Sequence, residues 1–134
     1  MSNLIKRSDL KLKKIVNLSL ITIIILVVII TTLLVVLERK TEGVEAYKDN
    51  FLTNKDVKAY YTISNDGKKR GNKYLYTFNG YDKKGDKQVV RKLIDKKLKK
   101  PAYLKIYAKG SQGKGWMQVK EEEVPKVPLN KIKE

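Results

Sequence analysis

Residues 74–90 read YLYTFNGYDKKGDKQVV and carry the clearest structural pattern of this chain. Three aromatic residues, Tyr74, Tyr76 and Phe78, occupy every second position, which is the pattern of a β-strand with one buried face. The segment DKKGD then has the composition of a turn, in which Gly85 can take the positive-φ position. The stretch predicts two strands joined by a solvated turn, with the rings in the wall of a barrel.

Period-two alternation continues on both sides of this stretch, most cleanly at residues 102–109. About five short strands follow one another, joined by Gly and Asn turns, at residues 57–63, 73–81, 88–93, 102–109 and 116–120. Short antiparallel strands at this spacing predict a sandwich or a small barrel, and a barrel leaves no open edges. The intervening residues 93–100, LIDKKLKK, are predicted to form a helical turn or a loop.

An apolar run of 23 uncharged residues lies at positions 15–37. As a helix it spans roughly 34 Å, enough for a hydrocarbon core of about 30 Å. Five Lys or Arg precede the run, and two follow it within residues 38–45. The positive-inside rule therefore predicts a transmembrane helix with a cytoplasmic N-terminus and an extracytoplasmic C-terminal part.

These observations divide the chain into four segments. We expect a cytoplasmic basic segment at 1–14, the transmembrane helix at 15–37, a stalk at 38–56 and an extracytoplasmic β-barrel domain at 57–134. The alternative is a secreted domain released by signal cleavage near Ala46. The apolar run is longer than the core of a usual signal peptide, and no small-residue cleavage site directly follows it.

Composition restricts the chemistry. The chain has 30 Lys and Arg against 14 Asp and Glu, a net charge of +16, which implies attraction to polyanions. Cysteine and histidine are absent, so thiolate chemistry and histidine bases or ligands are excluded. Ser64 and Ser111 could act only with a lysine, and lysines interrupt the Asp82–Asp86 pair. We therefore expect a protein that is not an enzyme, with no catalytic residue, metal site or cofactor.

The positive charge is concentrated between residues 68 and 114, which hold 16 Lys and Arg against three Asp. Lysines that alternate with Tyr103 and Tyr107 on one strand resemble a single-stranded nucleic-acid surface, but an outward domain does not meet cytoplasmic nucleic acid. The partners that remain are anionic lipid, anionic wall polymer or another envelope protein. The candidate polyanion-contacting residues are Arg91, Lys92, Lys96, Lys97, Lys99, Lys100, Lys105 and Lys109.

The runs YYTISNDG, YLYTFNGYDKKGDKQVV and KPAYLKIYAKGSQGKGWMQVKEEEVP, in this order over residues 59–129, resemble the YxeA-like family of small bacterial proteins. The charged segment VVRKL departs from that family's more apolar strand. The resemblance implies a Gram-positive envelope protein with a small oligonucleotide-binding-like (OB-like) barrel and no assigned role. We therefore expect a membrane-anchored extracytoplasmic binding module. A secreted binding domain and an envelope immunity or defence protein are the alternatives.

Overall fold

The computed structural model describes all 134 residues, which form two compact units, Met1–Val36 and Leu37–Glu134. The elements in chain order are α1 (Ser2–Lys40), α2 (Val44–Phe51), β1 (Val57–Ile63), β2 (Lys68–Arg70), β3 (Lys73–Tyr81), β4 (Lys87–Ile94), β5 (Tyr103–Lys109), β6 (Gln112–Val119), a 3-10 turn (Glu121–Glu123) and α3 (Lys126–Lys133).

The first unit contains helix α1 up to Val36, and none of the helix's side chains is buried. The helix is long and apolar enough to cross a membrane. Its threonines bond to their own helix: the hydroxyls of Thr22 and Thr32 donate to the carbonyls of Leu18 and Val28, at 2.9 and 2.7 Å. These bonds stabilise the helix in an apolar environment, because a hydroxyl buried there without a hydrogen-bond partner raises the free energy.

The second unit is a closed barrel of five strands, in the order β1–β5–β6–β4–β3 and back to β1. This is the OB-like barrel that the sequence and the family resemblance predict. All but one of the pairings are antiparallel; the exception is β4 with β6, which pair in parallel at Arg91 and Gln112. The prediction of antiparallel strands is corrected there, because barrel closure brings together two strands that no hairpin connects.

Strand β2 is a sixth, short strand that pairs only with β3 and lies outside the ring. The sequence did not predict it, because three charged residues between two turn signals carry no alternation. The β3–β4 hairpin agrees with its prediction. Gly85 has φ of +90°, and the Asp82 carboxylate accepts hydrogen bonds from the Lys84 and Asp86 amides, both at 2.9 Å. Asp82 therefore stabilises the turn by accepting these two backbone hydrogen bonds.

The barrel core is built around the aromatic strand. Tyr76 and Phe78 are fully buried, and their rings stack with centroids 5.5 Å apart. Alternate residues of β5 join them, as predicted. Leu98 enters the core from the loop that follows β4, and its amide donates to the Tyr76 hydroxyl at 2.8 Å. A loop with four lysines is thereby fixed to the barrel by its one leucine.

Strand β1 is more buried than a half-exposed strand. Three consecutive residues are buried: Tyr60, Tyr61 and Thr62. Both faces of the strand are covered there, because Tyr60 faces the core while α3 packs against β1 and β3. At the other end, residues that the sequence assigns to a stalk belong to the compact unit. Helix α2 packs against β6 and the β5–β6 turn.

Candidate functional site

Five of the eight predicted polyanion-contacting residues form no ion pair, and three of these five lie together on one loop. Lys96, Lys97 and Lys99 lie on the loop after β4, are exposed, and form no ion pair. Their neighbour Lys100 is bonded to Asp66 at 2.6 Å. Leu98, between them in sequence, is anchored in the core and fixes the loop that carries the three lysines.

A narrow cleft opens beside these lysines, and we call it the Trp116 cleft. It has a volume of about 260 Å³, and its lining includes Lys96, Lys97, Lys99, Trp116 and Gln118. The Lys96 ammonium lies 5.5 Å from the centre of the Trp116 ring, a distance suited to a cation–π contact. An aromatic ring, a side-chain amide and three cations therefore line one opening.

The Trp116 cleft continues into a second one of about 430 Å³, which reaches Lys73, Lys92 and Asp95. Both clefts share Lys96 and Trp116. They lie where β4 and β6 are neighbours but pair at a single position. The sequence places Trp116 in a predicted strand but not among the candidate binding residues. Here its ring packs on the core and remains partly exposed.

Two other predicted residues, Arg91 and Lys92, are occupied by carboxylates of the same unit. Arg91 bonds to Glu38 at 2.8 Å, and Lys92 lies 3.7 Å from Glu42, which also accepts the Leu93 amide at 3.4 Å. The hydrogen bond from Arg91 lowers the pKa of Glu38 below its usual value. These two cations are therefore directed at residues 38–42.

The remaining predicted residues lie on the outer face of β5. Lys105 sits over the rings of Tyr107 and Tyr61, at 5.2 and 6.0 Å from their centres. Lys109 donates to the Asn50 carbonyl at 2.9 Å, on helix α2. The eight predicted residues thus form separate groups, and only the loop lysines share a cleft that holds no carboxylate.

A buried carboxylate, Asp49, is the main polar feature that sequence reasoning missed. Its side chain is 3% exposed and accepts hydrogen bonds from the Ser111 amide and hydroxyl at 2.7 and 2.9 Å. Lys55 adds an ion pair at 2.7 Å. Burial alone would raise the pKa of Asp49, but the bonds from Lys55 and Ser111 outweigh it and leave the pKa below its usual value.

Asp49 joins α2 to the turn between β5 and β6. Gly110 in that turn has φ of +57°, and a β-carbon there would overlap the Asp49 carboxylate. The turn can therefore approach α2 only because residue 110 is glycine. No motif marks this contact, since Asp49 and Ser111 lie 62 positions apart.

The family model described as "Protein of unknown function (DUF1093)" matches residues 52–122, more than half of the chain. The chain belongs to this family. Over 58 residues it is 41% identical to the uncharacterized protein YxeA of Bacillus subtilis, an alignment that covers 43% of this chain and 50% of that relative. The YxeA-like resemblance is therefore confirmed, and the chain spans about half the length of its curated relative.

Two solved structures are similar to this DUF1093 chain. A crystal structure of a DUF1093 family protein from Bacillus subtilis has 32% identity and a TM-score of 0.53, and covers 60% of this chain and 97% of that one. A solution structure of a membrane associated protein from Bacillus cereus has 28% identity and a TM-score of 0.46, and covers 61% and 89%. The first supports the barrel fold.

Both serines of this DUF1093 domain have structural partners. Ser64 donates to the Lys99 carbonyl at 2.7 Å and accepts the Ala102 amide at 3.0 Å. The Ser111 hydroxyl donates to Asp49. The lysines nearest Ser111 in sequence, Lys109 and Lys114, bond to Asn50 instead. Each serine therefore joins separate segments of the barrel.

Proposed function

We propose that this protein is a single-pass membrane protein whose barrel binds anionic components of the cell envelope and catalyses no reaction. The N-terminus is cytoplasmic and the barrel extracytoplasmic. The proposal draws on the uncharged run at residues 15–37 within α1, and on the five basic residues before it against two after it.

The observation that carries the binding role is the set of free cations at Lys96, Lys97 and Lys99. A lysine close to an anionic surface contributes about 1 kcal/mol. Three on one anchored loop contribute together, because the backbone that carries them is already fixed through Leu98. Solubility alone requires cations dispersed among carboxylates, whereas this loop concentrates them around an aromatic cleft.

The structure's internal ion pairs favour an anchored form over a secreted one. Cleavage near Ala46 would remove Glu38 and Glu42, the carboxylates that contact Arg91 and Lys92. It would also cut helix α2 at a fully buried residue. The anchored chain keeps these contacts, so we favour retention of residues 15–37.

The same contacts disfavour an oligonucleotide on β4. OB-type barrels bind nucleic acid on the face of their second and third ring strands, which are β3 and β4 here. Glu38 and Glu42 present negative charge to Arg91 and Lys92 on β4. A phosphate backbone would have to displace both carboxylates. An outward barrel, moreover, does not meet cytoplasmic nucleic acid.

Topology is tested by adding protease to intact, wall-stripped cells that express the full chain with a C-terminal tag. We expect the barrel to be digested and a membrane-embedded N-terminal fragment to remain. A barrel that resists until the cells are lysed contradicts the orientation, and recovery of a chain starting at Tyr47 from the medium contradicts anchoring.

Binding is tested with the full chain in nonionic detergent and labelled inorganic polyphosphate at low salt. The triple variant Lys96→Gln, Lys97→Gln, Lys99→Gln is compared with a control of equal charge change in the exposed β3–β4 turn and beside it, Lys83→Gln, Lys84→Gln, Lys87→Gln. We expect the loop variant to lose about a hundredfold in affinity and the control to lose about threefold. Equal losses would show general charge attraction in place of a binding loop.

A further inference from the structure

We propose that the Trp116 cleft is a binding subsite for one hydroxyl-bearing unit of an anionic polymer whose polyol or sugar units are linked by phosphodiesters. This inference rests on the proposed binding of anionic envelope components and names the ligand chemistry and the residues that read it. The indole ring contacts the carbon face of the unit, Gln118 bonds its hydroxyls, and the loop lysines hold the flanking phosphates.

The position of the cleft follows from how the barrel closes. β4 and β6 pair in parallel at Arg91 and Gln112 only. Farther along, the gap is bounded by Ile94 of β4, the lysine loop and Trp116 of β6. Neighbouring strands that are not joined by a ladder leave room for a ligand at a site that the core below keeps rigid.

The lining has the mixture of groups that a polyol or sugar phosphate requires. Trp116 offers a flat apolar surface and packs on the core, so its orientation is fixed. Gln118 is exposed beside it, and an amide both donates and accepts hydrogen bonds, as a hydroxyl does. Lys96 lies over the ring, which places a cation directly beside the apolar surface.

Size argues for one small unit. At about 260 Å³ the cleft is at the lower limit of small-molecule sites, which begin at about 300 Å³. The adjoining cleft shares Lys96 and Trp116 with this one and leaves room beside the ring for the next unit of a chain. A repeating unit of modest size with a phosphate on either side fits these limits.

The experiment uses the emission of Trp116, the only tryptophan of the chain, as a reporter within the site itself. Full-length protein in nonionic detergent is titrated with a synthetic glycerol-phosphate oligomer, with polyphosphate of equal charge, with neutral dextran and with a thymidine oligonucleotide. We expect the glycerol-phosphate oligomer to shift the emission saturably and to bind about fivefold more tightly than polyphosphate, because its hydroxyls both donate to and accept from Gln118, whereas polyphosphate only accepts.

A matched pair of variants tests whether Gln118 forms hydrogen bonds with the hydroxyls of the ligand. Gln118→Ala removes the amide, and Met117→Ala changes an exposed neighbour that points to the other side of β6. Gln118→Ala should lower glycerol-phosphate affinity about fivefold and polyphosphate affinity by clearly less, and Met117→Ala should alter neither. Trp116→Phe keeps an aromatic ring in the core but removes the fluorescent reporter, so its binding is measured with a labelled glycerol-phosphate oligomer. This variant should bind the oligomer more weakly without unfolding the barrel.

The outcomes separate this inference from the proposed function. Polyphosphate that binds as tightly as the glycerol-phosphate oligomer, through the loop lysines, would overturn the subsite and leave the binding module standing. Tighter binding of the oligonucleotide would overturn both. Vesicles of phosphatidylglycerol that bind through Gln118, while the free oligomer does not, would identify a lipid headgroup and likewise overturn the polymer subsite.

Discussion

Replacing Asp49 with asparagine changes the barrel's most buried charged group with little change in shape. The carboxylate is 3% exposed and accepts two hydrogen bonds from Ser111 and one from Lys55. Asparagine keeps one acceptor oxygen and places an amide donor where the second oxygen was. Either the Ser111 groups or Lys55 then face a donor. We expect a loss of about 2–3 kcal/mol in the free energy of unfolding, the usual value of hydrogen bonds to a charged group.

The measurement is urea unfolding of the full chain in nonionic detergent, followed by Trp116 fluorescence. Asp56→Asn is the matched control, because Asp56 is exposed and makes no ion pair; its effect should stay within about half a kcal/mol. Lys55→Gln should cost less than about 1 kcal/mol, since that ammonium is 52% exposed. An Asp49→Asn protein as stable as the Asp56→Asn control would refute the assignment of Asp49 as a structural anchor.

The pH dependence has a defined sign. The pKa of Asp49 lies below its usual value in the folded protein. Its contribution to stability is therefore fully present above the unfolded pKa of about 3.9, and is lost as pH falls through the lower folded pKa. The stability difference between wild type and Asp49→Asn should be constant from pH 7 to 5 and should shrink in the acid range. A difference that shrinks above pH 5 would contradict the lowered pKa.

Three further outcomes are expected. Phe78→Ala should cost about 3–5 kcal/mol in urea unfolding, because a fully buried ring stacked on Tyr76 is lost; exposed turn variants at Lys83 and Lys84 should stay within about half a kcal/mol. A normally folded Phe78→Ala protein that no longer binds polyanions would instead make the ring a binding platform. Gly110→Ala should cost more than about 2 kcal/mol by the same assay, because its positive φ and the Asp49 carboxylate both exclude a β-carbon; an unchanged midpoint would refute the close approach of the turn to α2. Glu38→Gln should raise polyphosphate affinity about fivefold by freeing Arg91, and an unchanged affinity would show that Arg91 does not face the ligand.

The barrel was predictable because its decisive signals are local. The alternation around Tyr76 and Phe78 and the turn at Gly85 lie within a few residues of each other, and the chain's other strands follow the same rule. Strand order was less accessible. The parallel pairing of β4 with β6 forms only when the barrel closes, so no turn motif in the sequence predicts it. Short β2 lacks alternation altogether.

The candidate site was only partly predictable, for a related reason. The basic loop is visible in the sequence as a run of lysines, but Trp116 lies about twenty positions away and meets Lys96 only in the folded barrel. Asp49 looks like any polar residue of a short helix, and its burial depends on the β5–β6 turn, 62 positions later. Side-chain environments created by distant segments have no periodic signature, so composition and spacing cannot supply them.

The same distant contacts change what a high positive charge means for this protein. The sequence counts Arg91 and Lys92 with Lys96, Lys97 and Lys99 as one cluster, but Glu38 and Glu42 neutralise the first two. Those carboxylates belong to the segment just after the apolar run, so the chain itself occupies the cations of β4. Of these five cations, the three without a carboxylate partner are on the anchored loop beside Trp116, where charge and an apolar surface coincide. A diffuse basic surface would bind any polyanion in proportion to its charge, whereas cations restricted to one shaped cleft can distinguish what lies between the phosphates.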